Sequence, residues 1–158
     1  MRLEEGKDYL VCDFCKSMHF PEPDAGGVRV LGEPAPQSCP VCGVPLLHAA
    51  IDRVRILHCG RCRGTLIPMG AFVLLVEELR ARQNPSARPL PALDPKDLNR
   101  HIHCPRCGRP MDTHPYLGPG NVVIDSCSEC EINWLDYGEL MRIVRAPDRE
   151  FPEDDALA

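Results

Sequence analysis

All ten cysteines of this chain fall in CxxC pairs: Cys12/Cys15, Cys39/Cys42, Cys59/Cys62, Cys104/Cys107 and Cys127/Cys130. Two residues between cysteines let a tight turn aim both sulfurs, together with some backbone N–H groups, at a single ion. Cysteines used only as small buried hydrophobes have no reason to keep this spacing. The chain is therefore expected to build metal knuckles, and a tetrahedral ion needs two of them.

Self-comparison assigns the partners. CPVCGVPL at 39–46 matches CPRCGRPM at 104–111, and CGRCRGTLIPMGAF at 59–72 matches CSECEINWLDYGEL at 127–140. Each unit is a CPxCG knuckle, a strand-like stretch, a second CxxC knuckle, an apolar pair, then a glycine and a helix. The knuckles are separated by 16 residues in the first unit and 19 in the second, where Leu117-Gly118-Pro119-Gly120-Asn121 marks a longer hairpin turn. Two metal sites are expected, one from Cys39, Cys42, Cys59 and Cys62, the other from Cys104, Cys107, Cys127 and Cys130. The alternation over Ala50 to Leu57 and the β-branched run Asn121 to Ser126 read as strands entering the second knuckles. A 158-residue chain with 5% aromatic residues, cut into units this small, buries too little apolar surface to fold on that alone. Metal binding is expected to supply much of the folding free energy. The expected fold class is a small, metal-stabilised α+β chain of tandem zinc ribbons, short antiparallel β-hairpins with zinc knuckles, each followed by a helix.

CPxCG, then CxxC after 16 to 19 residues, then Trp134-Leu135-Asp136-Tyr137-Gly138-Glu139-Leu140, resembles the transcription-factor-IIB-type zinc-ribbon family. Unit 104–144 is similar throughout. The first unit keeps the four cysteines and Gly70 but has Leu66-Ile67-Pro68-Met69 in place of Trp134 to Tyr137. The resemblance implies zinc ribbons with a short following helix, and leaves the biochemical role open because a ribbon is a scaffold used for many purposes.

Cys12 to Pro21 aligns with Cys59 to Pro68 and with Cys127 to Asp136, so it reads as a second knuckle with no first. Four completions compete: His19 as a third ligand; His101 and His103 as a pair; an equivalent pair from another chain; or free thiols. The expected metal content is two Zn2+ per chain, with a third if Cys12, Cys15 and His19 form a site.

The expected organisation is an incomplete knuckle and connector at 1–38, ribbon 1 with its helix at 39–83, a Pro-rich linker at 84–103, ribbon 2 with a short helix at 104–146, and an acidic, disordered tail at 147–158. Within the connector, Val28 to Leu31 reads as a strand that adds to the first ribbon's sheet. Phe72, Leu75, Val76 and Leu79 recur at helical spacing after Gly70, and Tyr137 to Arg145 repeats the theme more briefly. Pro85, Pro89, Pro91 and Pro95 stiffen the linker, with one helical turn expected at 94–98, and leave the relative orientation of the ribbons open.

With 18 Lys+Arg against 23 Asp+Glu the net charge is −5, which disfavours non-specific nucleic-acid binding; only 39–82, at +3, could supply a basic patch. The opening MRLEEGKDYLVCDFCK has no apolar run, and no later run approaches the roughly 20 residues of a membrane helix. A cytoplasmic, non-membrane location is expected. Four thiolates around an ion leave no open position for water or substrate, and no phosphate loop, HExxH or nucleophile elbow is present, so no enzyme and no small-molecule substrate are expected. The expected role is a zinc-binding adaptor that engages a protein partner or itself, with a link to transcription, through Trp134 and Tyr137. Two alternatives stand beside it: nucleic-acid binding through Arg53, Arg55, Arg61 and Arg63 of ribbon 1, and rubredoxin-like iron or dithiol redox chemistry.

Overall fold

The computed structural model describes residues 1–84 and 88–147. The chain opens with three two-residue strands, β1 (Arg2–Leu3), β2 (Leu10–Val11) and β3 (Met18–His19), paired antiparallel in the order β1-β2-β3. The first CxxC forms the turn between β2 and β3. This small sheet is tied to the main body by two arginines. Arg29 donates to the Asp8 carbonyl (2.8 Å) and carboxylate (3.0 Å), and Arg55 donates to the Lys7 carbonyl at 2.5 Å.

Seven further strands make one antiparallel sheet. β4 (Val28–Ser38), β5 (Pro45–Ile51), β6 (Val54–His58) and β7 (Thr65–Pro68) come from the first half of the chain, and β8 (Asp112–Pro115), β9 (Val123–Cys127) and β10 (Ile132–Leu135) from the second. β4 lies on the outer edge of the first ribbon as expected, but extends through Pro34 and Pro36 with two register shifts. Proline cannot donate to a ladder, so an edge strand with irregular pairing is where a sheet tolerates it. The alternating stretch Ala50 to Leu57, read as one strand, is a hairpin instead. Ile51 pairs with Val54, and Asp52 takes a left-handed φ of 55° at the turn. Its carboxylate is held by Arg82 at 2.5 Å.

The strand order β4-β5-β6-β7-β10-β9-β8 places the seam between the ribbons at β7 and β10. Thr65 pairs with Leu135, Leu66 with Trp134, Ile67 with Asn133 and Pro68 with Ile132. This pairing sets the orientation that the linker left open. Helix α1 (Met69–Ala81) follows directly, and its first free amide, Met69 N–H, donates to the Glu131 carbonyl of the other ribbon at 2.8 Å. The linker carries a 3-10 turn at Pro95–Asn99, opened by the Asp94 carboxylate accepting from Lys96 N–H at 2.9 Å. Helix α2 (Glu139–Arg145) closes the described chain. All of the tail expected at 147–158 except Pro147, and Pro85 of the linker, lie outside the described residues.

Alternation along the seam strands divides the interior between two faces. Ile67 and Leu135 point to the face covered by both helices, where Phe72, Leu75 and Val76 of α1 meet Leu140, Ile143 and Val144 of α2. Leu66 and Trp134 point to the other face and pack with the buried cysteines of both clusters, Leu46, Ile102, Met111 and Ile132. Arg80 of α1 caps α2 by donating to the carbonyls of Ile143 (2.6 Å) and Ala146 (2.9 Å).

Candidate metal centres

Three of the four in-chain knuckles close with the same pair of backbone bonds. In the first, Cys39 N–H donates to the Val44 carbonyl (2.7 Å), and Gly43 N–H donates back to the Cys39 carbonyl (2.9 Å). Cys104 repeats this with Arg109 and Gly108, and Cys59 with Gly64 and Arg63. The residue after the second cysteine must be left-handed for the turn to close: Gly43 and Gly108 supply φ of 73° and 74°, and Arg63 and Glu131 are held there at 62° and 54°. Backbone amides then point at sulfur. Cys42 N–H lies 3.3 Å from Cys39 Sγ, Cys62 N–H 3.4 Å from Cys59 Sγ, and Arg106 N–H 3.4 Å from Cys104 Sγ.

The hairpins bring these turns together in two sets, Cys39, Cys42, Cys59 and Cys62, and Cys104, Cys107, Cys127 and Cys130, with all four sulfurs of each set within 4.8 Å of one another. A tetrahedron of metal–sulfur bonds about 2.3 Å long has edges of roughly 3.8 Å. The Cys39–Cys62 and Cys107–Cys127 sulfurs are 3.7 Å apart, which fits coordination by a shared ion and is far beyond a disulfide bond. Electrostatics point the same way. Burial, followed by the neighbouring thiols, raises Cys62 and pushes Cys130 up to about 12. Cys107 is lowered to about 7, chiefly by the Arg109 amide. Four thiolates so close cannot all ionise unless a cation balances them.

The remaining expected site residues are placed differently. Cys12, Cys15 and His19 join no third group of three or more ligands among the described residues, and neither do His101 and His103. Cys15 is lowered to about 7, first by the Ser17 side chain, then by its backbone amide and by Cys12. Trp134, expected as an exposed partner contact, is fully buried (0% exposed). Its indole lies against Gly64, where a Cβ would sit only 2.1 Å from Cζ2, and its Nε1–H donates to Asp136 Oδ1 at 3.2 Å. The seam removes it from the surface because a single ribbon has nothing large enough to cover it. Tyr137 does remain exposed, with Arg63 stacked 5.3 Å from its ring centroid.

The four arginines of ribbon 1 do not make one open patch. Arg55 is spent on Lys7 and His48, and Arg63 on Tyr137, while Arg53 and Arg61 are exposed beyond opposite ends of β6. Sequence reasoning missed a polar cluster beneath the WLDYGEL segment. Arg100 pairs with Asp136 and lies 3.9 Å from the buried Asp125, which accepts from Thr113 Oγ1 at 2.5 Å. Glu139 accepts from Asp136 N–H at 2.7 Å. An isolated Arg before a knuckle and an Asp inside a β-branched strand were the only signals.

Among the described residues no helix is long and apolar enough to cross a membrane. Residues 103–146 match the family model described as the transcription factor zinc-finger. Comparison with curated proteins and with solved structures finds no match. Residues 103–146 are thus similar to a zinc ribbon of the transcription factor zinc-finger family, and the four-cysteine cluster at 39–62 fits another ribbon, joined to that segment in one sheet.

Proposed function

We propose that the chain is a non-enzymatic adaptor in which two structural Zn2+ ions hold a rigid double ribbon that presents helix surfaces to a protein partner. The observation that carries this reading is the closure of both clusters by four cysteines each. Four thiolates complete the tetrahedral shell that zinc takes in structural sites and leave no position for a reacting water. The outward surface of α1 supports the second half of the reading. Val73 and Leu74 stay exposed (Leu74 at 61%) after Phe72, Leu75 and Val76 have packed inward. A nucleic-acid role would need phosphate-facing cations, and the engagement of Arg55 and Arg63 weighs against it.

The test places a photo-crosslinker at Leu74, with a second at exposed Asp97 as control, in the zinc-loaded protein within its native lysate. One dominant protein product at Leu74, absent at Asp97 and lost on Val73→Glu with zinc content unchanged, is expected. Equal or no crosslinking at both positions refutes the adaptor surface, and iron in place of zinc on elemental analysis would favour redox chemistry instead.

A further inference from the structure

The fifth CxxC is a fully built metal knuckle with no opposing knuckle among the described residues. Cys12 N–H donates to the Ser17 carbonyl (3.0 Å), Lys16 N–H donates to the Cys12 carbonyl (3.0 Å), and Lys16 takes φ 61°. That is the same pattern of bonds and the same left-handed residue as at Cys59 to Gly64, where Arg63 stands at 62°. A lysine forced into a left-handed turn costs conformational energy, and the in-chain examples show what such a turn is for. The other eight cysteines are already committed to the two clusters.

We propose that this turn is half of a metal site, and that a second copy of the chain supplies the other half, so that Cys12 and Cys15 of two protomers hold one Zn2+ on a two-fold axis. Zinc in a closed site takes four ligands, and the chain meets that need twice by facing one CxxC turn with another. A second copy necessarily carries an unopposed turn of matching geometry, and two such turns on a two-fold axis form a self-complementary contact. Binding releases the protons of the four thiols to solvent.

The surroundings suit a contact between copies. At the third position of the CxxC, where three in-chain knuckles carry the exposed charged residues Arg61, Arg106 and Glu129, this knuckle carries Phe14, 97% exposed. Met18, 61% exposed, lies just beyond it. These two residues give the knuckle exposed apolar surface that an isologous contact covers. Charge does not oppose it, because Asp13 is already paired with Arg2 (3.3 Å) and with the N-terminal ammonium (3.7 Å). The knuckle is presented firmly, since Arg29 and Arg55 anchor the segment just before it to the main sheet. The inference goes beyond the adaptor reading and stands on the two ribbon clusters holding metal.

The test is native mass spectrometry of the full chain loaded with Zn2+, paired with 113Cd NMR of the cadmium-substituted protein. A dimer with five metals is expected, giving three tetrathiolate cadmium signals in a 2:2:1 ratio. Cys12→Ser/Cys15→Ser is expected to be a monomer with two metals and to lose only the weakest signal. Phe14→Ser, which keeps all ligands, is expected to shift dimerisation to at least tenfold higher concentration. A monomer with two metals, a monomer with three, or a dimer with four overturns the shared site. A chain that binds no metal overturns the ribbon clusters themselves, so the two failures are distinguishable.

Discussion

Leu66 and Trp134 occupy the same position in the two repeats and are also direct cross-strand partners at the β7–β10 seam. In an antiparallel pair a residue faces its own repeat-equivalent only at a local two-fold axis, so the axis relating the ribbons passes between these two side chains. The neighbouring pairs obey it: Thr65 with Leu135 and Ile67 with Asn133 are images of one another. Symmetry breaks at the axis itself. There a leucine meets a tryptophan, and the indole fills the space over Gly64, whose counterpart in the second ribbon is Ile132.

That asymmetry predicts a coupled pair of mutations. Gly64→Ala places a Cβ inside the indole and is expected to cost about 3 kcal/mol. Trp134→Ala empties a fully buried site and is expected to cost about 3–5 kcal/mol. In the Trp134→Ala background, Gly64→Ala should cost under about 1 kcal/mol, because the clash has gone. Urea unfolding of the four zinc-saturated proteins checks this, and strict additivity would show that Gly64 and Trp134 do not share the space.

Metal loss in one ribbon is expected to weaken the other, because β7 and β10 are ladder partners. With Cys59→Ser/Cys62→Ser, hydrogen exchange should accelerate at least tenfold in β10 as well as in β6 and β7. Unchanged protection in β10 would mean that the ribbons are stabilised independently.

Arg100 is the cation shared by the acidic cluster, paired with Asp136 and close to Asp125. Removing one partner of a buried charge cluster strands the others, at about 3–5 kcal/mol when burial is complete and less here, since Arg100 keeps part of its surface in water. Arg100→Met is expected to cost about 2 kcal/mol, while Arg100→Lys should recover part of that. Thermal unfolding at fixed zinc concentration separates them, and equal losses for both would place the effect in the side-chain stem.

Glu139 makes stability depend on pH. Burial, aided by Asp136 and Asp125 and opposed by Arg100 and the Asp136 amide, pushes its carboxyl up to about 8 from an ordinary value of 4.5. A carboxyl raised on folding stabilises most below its unfolded pKa, and that contribution is lost as pH rises through the folded one. Between pH 6.5 and 8, where the thiolates still hold metal, the wild type should lose stability relative to Glu139→Gln, which keeps an oxygen acceptor for Asp136 N–H. The difference should level off above about pH 8. Parallel stability curves across that range would show that Glu139 is ionised in the folded protein throughout.

The metal sites were legible in the sequence because a knuckle is a local object. Spacing within Cys39 to Cys42, glycine at 43 and 108, and the repeat that matches each first knuckle to its second are all properties of short segments, and the structure gathers those eight cysteines into the two sets the repeat assigns. The amphipathic stripe through Phe72, Leu75 and Val76 was equally plain, since helical periodicity needs no partner to be seen.

What only the tertiary structure decided is how the two copies meet. The Pro-rich linker places no constraint on the pairing of Leu66 with Trp134, which arises because two short edge strands with unpaired backbone groups find each other. Once they do, Trp134 is buried, Arg100 acquires its carboxylates, and Arg55 and Arg63 are drawn into contacts that no local pattern encodes. Ligand spacing is written along the chain; the surroundings of each side chain are set by segments far away in sequence, and those are fixed only when the sheet closes.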